Sequence, residues 1–146
     1  MFRKLTDDIS ASPQIALDDV ERAAREGFTL IVNNRPDGEA DDQPTGAEIE
    51  AAARARGMDY VSIPVSHAGF GQAQVDAMAE ALEGADGRVL AYCRSGTRST
   101  LLWALAAASR GESPNVIAAR AADAGYDIAP VRQMVDILAS TPRDAT

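Results

Sequence analysis

The sequence predicts an α/β fold: a single three-layer domain with a central, mostly parallel sheet of about four strands flanked by helices. Three observations carry this expectation. Short apolar runs alternate with segments of helical period along the whole chain. The runs are continuously apolar, the pattern of strands covered on both faces. The length, 146 residues, is that of one ordinary domain, so residues 1–146 are read as one unit.

The elements follow in order. After an N-terminal segment ending in residues 9–12, Leu17, Val20, Ala23 and Ala24 recur at helical spacing until Gly27 stops the helix, expected over residues 18–26. Phe28, Thr29, Leu30, Ile31 and Val32 form the first buried strand, which breaks at the turn-rich residues 33–38. Ile49, Ala52 and Ala53 mark a second helix closed by Gly57, and residues 60–63 a second buried strand ending before Pro64. A loop over residues 65–71 leads to a third helix carrying Val75, Met78, Ala79 and Leu82. Val89, Leu90, Ala91 and Tyr92 are the third buried strand. A helix from about Arg98 to Arg110 has Leu101, Leu102, Leu105 and Ala108 available for burial. Ser113 and Pro114 are expected to cap and open the next helix, and a last one begins near Pro130 with Val131, Met134, Val135 and Leu138 inward.

Composition narrows the partners. Apolar residues make up 46% and charged residues 25%, globular usage. A net charge of −8 repels nucleic acid and anionic membrane surfaces. No apolar run approaches the roughly 20 residues that span a bilayer. One cysteine forms no internal disulfide, and the N-terminus lacks the pattern of a secretory signal, so a cytoplasmic location is expected. One histidine and one cysteine cannot supply the usual clustered metal ligands, and no Gly-X-Ser-X-Gly elbow occurs. No cofactor is expected.

Chemistry concentrates where the third buried strand ends, at Cys93-Arg94-Ser95-Gly96-Thr97-Arg98. In parallel α/β sheets ligands bind at the carboxyl ends of strands. The helix that follows offers unpaired N–H groups and partial positive charge. Ser95, Gly96 and Thr97 are small enough for the backbone to curl around an oxyanion, with Gly96 free to take positive φ. A cysteine in that field, next to arginine, has its thiol pKa lowered from about 8.5 and is expected as the thiolate. Arg98 sits in the first helical turn, where the dipole disfavours a cation, which points to bidentate contact with a bound anion. Arg94 joins the substrate-binding candidates, and Ser99 is expected to donate to the thiolate or to a leaving atom. Arg35, after the first buried strand, reaches the same sheet end and is a further anion-binding candidate.

Three stretches carry a family resemblance: Ile31-Val32-Asn33-Asn34-Arg35-Pro36-Asp37-Gly38-Glu39, Gly57-Met58-Asp59-Tyr60-Val61-Ser62-Ile63-Pro64-Val65, and Tyr92-Cys93-Arg94-Ser95-Gly96-Thr97-Arg98-Ser99. With these, nearly the whole chain resembles the phosphatase-like domains related to beta-lactamase hydrolase-like proteins, which are similar in fold to dual-specificity and tyrosine phosphatases. The resemblance implies a cysteine phosphatase-like fold. It also implies hydrolysis of a phosphoester through a Cys93 thiolate and a phosphocysteine intermediate, with a small anionic or phosphorylated substrate.

Two features separate the chain from that pattern. Four residues lie between Cys93 and Arg98, one fewer than in tyrosine phosphatases and the spacing of rhodanese sulfurtransferases. The loop over residues 65–71, where those phosphatases carry a general-acid aspartate, holds no carboxylate; its His67, of a residue type that titrates near pH 6.5, is the candidate proton donor. Asp37 and Asp76 are other carboxylates to consider. Loss of a leaving-group acid slows a phosphatase by about 100- to 10,000-fold, whereas sulfur transfer needs no such acid. A rhodanese-like sulfurtransferase, taking sulfane sulfur from a donor as a Cys93 persulfide, is therefore the alternative. A non-catalytic anion-binding domain is a second.

Overall fold

The computed structural model describes residues 2–66 and 68–141. Its sheet has five strands, one more than the sequence predicts: β1 (Arg3–Lys4), β2 (Ile9–Ser12), β3 (Phe28–Asn33), β4 (Asp59–Ser62) and β5 (Arg88–Tyr92). The spatial order is β1-β2-β5-β3-β4, and every pairing is parallel except that of β1 with β2. The extra strand is a two-residue edge piece whose side chains are exposed, so no apolar run marks it in the sequence.

The helices are α1 (Leu17–Arg25), α2 (Gly46–Ala55), α3 (Gln72–Gly84), α4 (Thr97–Ser109), α5 (Pro114–Asp123) and α6 (Arg132–Ser140), with a 3₁₀ turn at Ala129–Val131. They divide over the two sheet faces. Leu30, Val32, Val89 and Ala91 pack with residues of α3, α4, α5 and α6, while Ile31, Leu90 and Tyr92 pack with residues of α1 and α2. This is the three-layer arrangement that continuously apolar strands require, since alternate side chains of β3 and β5 point into different layers. A register shift between Phe28 and Leu30 moves Phe28 onto the α1–α2 face with Ile31.

Three expectations change. The run at residues 60–63 is an edge strand rather than a buried one: Asp59 and Ser62 are exposed, and Tyr60 and Val61 only half-buried. Ser113 occupies the N-cap of α5, but its side chain makes no capping hydrogen bond, and Pro114 alone supplies the start signal. Met134 is exposed, because α6 turns Val131 and Val135 inward and leaves Met134 on the solvent side.

Helix α4 goes further than its pattern foretells. Every residue from Ser99 to Ser109 is buried, because α3, α5 and α6 surround it against the sheet. The helix that follows Cys93 is therefore firmly anchored, and its N-terminus cannot shift without disturbing the core. Replacement of the fully buried Leu102 by alanine is expected to cost about 2–5 kcal/mol, read as a lower midpoint in urea unfolding with an unchanged slope.

Candidate active site

Strand β5 delivers Cys93 to the middle of the carboxyl edge of the sheet. Its own N–H donates to the Ser12 carbonyl on the β2 side (3.3 Å), and the Asn34 N–H on the β3 side donates to the Tyr92 carbonyl (2.8 Å). Pairing on both sides fixes the height and direction at which the chain leaves the sheet. Beyond Cys93 the backbone reverses through Gly96, whose φ of 91° lies in the left-handed region that glycine enters cheaply. That turn brings the Gly96 N–H onto the Cys93 sulfur at 3.1 Å. Helix α4 begins at the next residue with no side-chain cap, so the loop and the helix N-terminus form one concave run of backbone.

Arg98 rises from the first turn of α4. Both Nη1 protons are engaged, one by Glu39 Oε2 and one by the Val65 carbonyl (2.7 Å each), and Nη2 donates to Glu39 Oε1 (2.8 Å). Glu39 thus grips the end of the guanidinium fork. The Nε–H and the second Nη2–H form the other, parallel edge of the fork, a shape suited to two oxygens of an oxyanion, and Arg98 also hydrogen-bonds the Cys93 sulfur. The Arg98 pKa is raised above its usual value, first by the Glu39 hydrogen bonds and then by the charge of the nearby Cys93 sulfur, against the opposing effect of burial.

Glu39 also accepts from Arg35 Nε (2.9 Å), and Arg35 Nη1 donates to the Gln14 side chain (2.9 Å). Arg35 is only 5% exposed. A carboxylate between two guanidinium groups titrates low: hydrogen bonding to Arg98 first, and to Arg35, outweighs desolvation and lowers Glu39 from 4.5 to about 2. A carboxyl whose folded pKa lies below its unfolded one stabilises the fold above the unfolded value, and loses that contribution as pH falls from 4.5 towards about 2. Glu39→Gln is accordingly expected to cost about 2 kcal/mol near neutral pH, after allowance for solvent screening. The gap to wild type should narrow below about pH 4.5 in urea melts, and a gap independent of pH would show that the ion pair is not its source.

Glu39, Ser66, Arg94, Ser95 and Arg98 line a cavity of about 450 Å³ above the loop. Cys93 is fully buried and is not among the described residues that line the cavity, although its sulfur lies near the Arg98 guanidinium. Of the residues singled out in the sequence, Arg94, Ser95 and Arg98 line this cavity, and Cys93, Gly96 and Thr97 belong to the same loop. Arg35 stands behind Glu39, with its guanidinium engaged by Glu39 and Gln14 rather than turned into the cavity. Ser99 differs from its expected role: its one hydroxyl proton goes to Asn34 Oδ1 (2.7 Å), in a buried contact tying α4 to the loop after β3. Asp37 accepts from the Gly46 N–H at the start of α2 (2.8 Å), and Asp76 accepts from Gln72 on α3 (2.9 Å). His67 lies outside the described residues; its neighbour Ser66 lines the cavity. Glu39, Gln14 and Asn34 are site residues that sequence reasoning misses. The available signal for Glu39 is the gathering of Arg35, Arg94 and Arg98 at one sheet end, which calls for a counter-charge.

A left-handed glycine turn between a central parallel strand and a buried helix, with a cysteine at its start and an arginine at its close, on this sheet order, defines the cysteine phosphatase fold. The chain belongs to the family described as the phosphatase-like domain of beta-lactamase hydrolase-like protein, whose profile matches residues 1–110. A crystal structure of a protein from Neisseria meningitidis Z2491, assigned as a phosphatase, superposes with a TM-score of 0.81 at 33% identity, covering 93% of this chain and 96% of that one. P. aeruginosa TpbA, solved as a cysteine-to-serine variant in complex with pTyr, shares the fold with a TM-score of 0.68 at 16% identity, covering 98% of this chain and 90% of that one. The beta-lactamase hydrolase-like protein of Agrobacterium fabrum is 40% identical over 103 residues, which are 70% of this chain and 23% of that protein. The matched region thus spans about a quarter of that relative's length. Among the described residues no helix is long and apolar enough to cross a membrane, and no cluster of side chains could hold a metal ion.

Proposed function

We propose that this chain hydrolyses a phosphoester of the tyrosine or dual-specificity type, with Cys93 as nucleophile and no cofactor. The observation that carries the reading is the pairing of the Gly96 N–H with the Cys93 sulfur beside Arg98, whose guanidinium is held in place by Glu39 and the Val65 carbonyl. The family and the fold support it. The phosphate enters the cavity against the loop N–H groups and the Nε edge of Arg98, with Arg94 at the rim. The Cys93 thiolate attacks phosphorus as the bond to the leaving oxygen breaks; that oxygen departs with the electron pair, and water then cleaves the phosphocysteine to release phosphate and regenerate the thiolate.

Glu39, lowered to about 2, is a carboxylate at neutral pH and orients Arg98 rather than donating a proton. No other carboxylate lines the cavity among the described residues. The reaction therefore suits leaving groups that depart readily as anions, aryl phosphates first, with His67 as the proton donor for less acidic ones.

A different observation favours a second reading. Four residues between Cys93 and Arg98 and a cavity whose described lining offers no protonated acid fit sulfur transfer, in which the thiolate attacks the sulfane sulfur of thiosulfate, the S–S bond breaks, and sulfite leaves with its electron pair. The persulfide on Cys93 then passes its sulfur to an acceptor such as cyanide. Acid quenching of the protein with an aryl phosphate, and separately with thiosulfate, followed by mass spectrometry of the Cys93 peptide, distinguishes the readings. The phosphatase is expected to show a phosphoryl adduct with the first substrate and release phosphate. A single added sulfur with the second substrate alone, with thiocyanate formed on adding cyanide, would establish the transferase, and no adduct with either would leave anion binding as the function.

A further inference from the structure

Among the described residues, one side chain of the carboxyl-terminal region hydrogen-bonds the cysteine loop. Half-buried Tyr126 lies between α5 and the 3₁₀ turn, outside the residues matched by the family, and its hydroxyl donates to the Ser95 carbonyl at 3.1 Å in an exposed hydrogen bond. That carbonyl and the Gly96 N–H are the two ends of a single peptide plane. The structure contains no cis peptide among the described residues, and in a trans unit C=O and N–H point in opposite directions. Holding the carbonyl towards Tyr126 therefore holds the Gly96 N–H towards the Cys93 sulfur, 3.1 Å away. The preceding plane is held in the same way, since the Gln14 N–H donates to the Arg94 carbonyl (3.2 Å).

Tyr126 is itself braced. Its N–H donates to the Ala121 carbonyl (2.9 Å), tying it to the end of α5. Arg3 lies over its ring, 5.5 Å from the centroid, and donates to the Ala124 carbonyl at 2.9 Å. At the loop, a Cβ on Gly96 would overlap the Tyr126 hydroxyl and displace it, while the positive φ independently favours glycine there. The ring and backbone of Tyr126 are thus held independently of the loop, and its hydroxyl meets the carbonyl whose peptide partner faces the nucleophile.

We propose that Tyr126 is a positioning residue for the nucleophile: by fixing the Ser95–Gly96 peptide plane it keeps the Gly96 N–H on Cys93 and so favours the thiolate. The proposal rests on the reading of Cys93 as a thiolate nucleophile, whichever group it transfers. Among the described residues the charged and titratable groups around the sulfur are Arg98 from α4 and Tyr126, with Glu39 and Arg35 behind Arg98 and Arg94 on the adjoining loop. Tyr126→Phe removes none of those charges and keeps the ring on which Arg3 lies.

The test is a pH titration of thiolate ultraviolet absorbance, with Cys93→Ser as the blank; the single cysteine makes the signal unambiguous. In Tyr126→Phe the midpoint is expected to rise by about 0.5–1 unit, roughly a three- to tenfold loss of thiolate below it, with little change in thermal unfolding. Arg3→Met, which loosens the brace but keeps the hydroxyl, should shift it less and in the same direction. A wild-type midpoint well below the free-cysteine value that both variants leave unchanged would overturn the proposal while sparing the nucleophile. A wild-type midpoint near about 8.5 would overturn the nucleophile reading and the proposal with it.

Discussion

Cys93→Ser is expected to lower turnover by about 10⁴-fold or more while leaving anion affinity within about threefold of wild type. The two outcomes separate because the sulfur and the cradle are different parts. On the proposed reading the loop N–H groups and the Arg98 fork bind the oxyanion through backbone and guanidinium, and the positions of both are fixed chiefly by groups other than the sulfur. The Cys93 N–H donates to the Ser12 carbonyl, and the turn is set by glycine and by α4. Serine nearly keeps the size of the side chain but replaces a thiolate with a hydroxyl that stays protonated, so the covalent step fails. Product release by the variant, measured beside competition by inorganic phosphate or vanadate, tests both halves. A variant that retained about a tenth of wild-type turnover would remove Cys93 from the mechanism, and one that lost anion binding would show the sulfur to be part of the cradle.

The fold is legible in the sequence because its informative strands lie in the centre. Strands β3 and β5 are covered on both faces, so their sequences are continuous apolar runs, and Gly27 and Gly57 follow the ends of α1 and α2. What escapes such a reading lies at the edges. Strand β1 is too short and too exposed to carry a pattern. Strand β4 has a partner on one side only, and the buried Ile63 just beyond its end lends its run an apolar look that exposed Asp59 and Ser62 do not share. Met134 falls on an inward period because helical spacing alone does not tell which neighbouring helix is there to receive a side chain.

The site divides along the same line. Its contiguous part, Cys93 to Arg98, can be found because local backbone chemistry dictates it: a nucleophile, small residues and a cation at a strand–helix junction. Its distant parts cannot. Glu39 is 59 residues from the Arg98 it grips, and Tyr126 is 31 residues from the Ser95 carbonyl it holds. Gln14, from the segment after β2, reaches the loop only because β2 and β5 are neighbours in the sheet. Ser99 escapes for the same reason. Its position one residue past Arg98 suggests the sulfur, whereas the acceptor that claims its proton, Asn34, is contributed by a loop from the neighbouring strand.

Arg98→Lys tests the geometry of the cradle rather than its charge, and is expected to reduce kcat/KM by about 100- to 1,000-fold. The guanidinium performs two tasks at once. Its Nη groups are tied to Glu39 and to the Val65 carbonyl, and the remaining edge offers two parallel donors. An ammonium has three donors radiating from one atom, so a lysine that satisfied Glu39 and Val65 could present at most one proton to the anion, and a lysine that served the anion would leave the carboxylate with Arg35 alone. Ionic strength provides the control: if charge alone mattered, the lysine variant would keep most of its activity and both proteins would weaken in parallel with salt. Loss concentrated in kcat, with ground-state phosphate affinity reduced by no more than about tenfold, is the result expected of a fork whose second donor engages as charge builds on the transferring group. Equal loss in phosphate affinity and in kcat/KM, with kcat intact, would instead make Arg98 a binding residue for the resting anion.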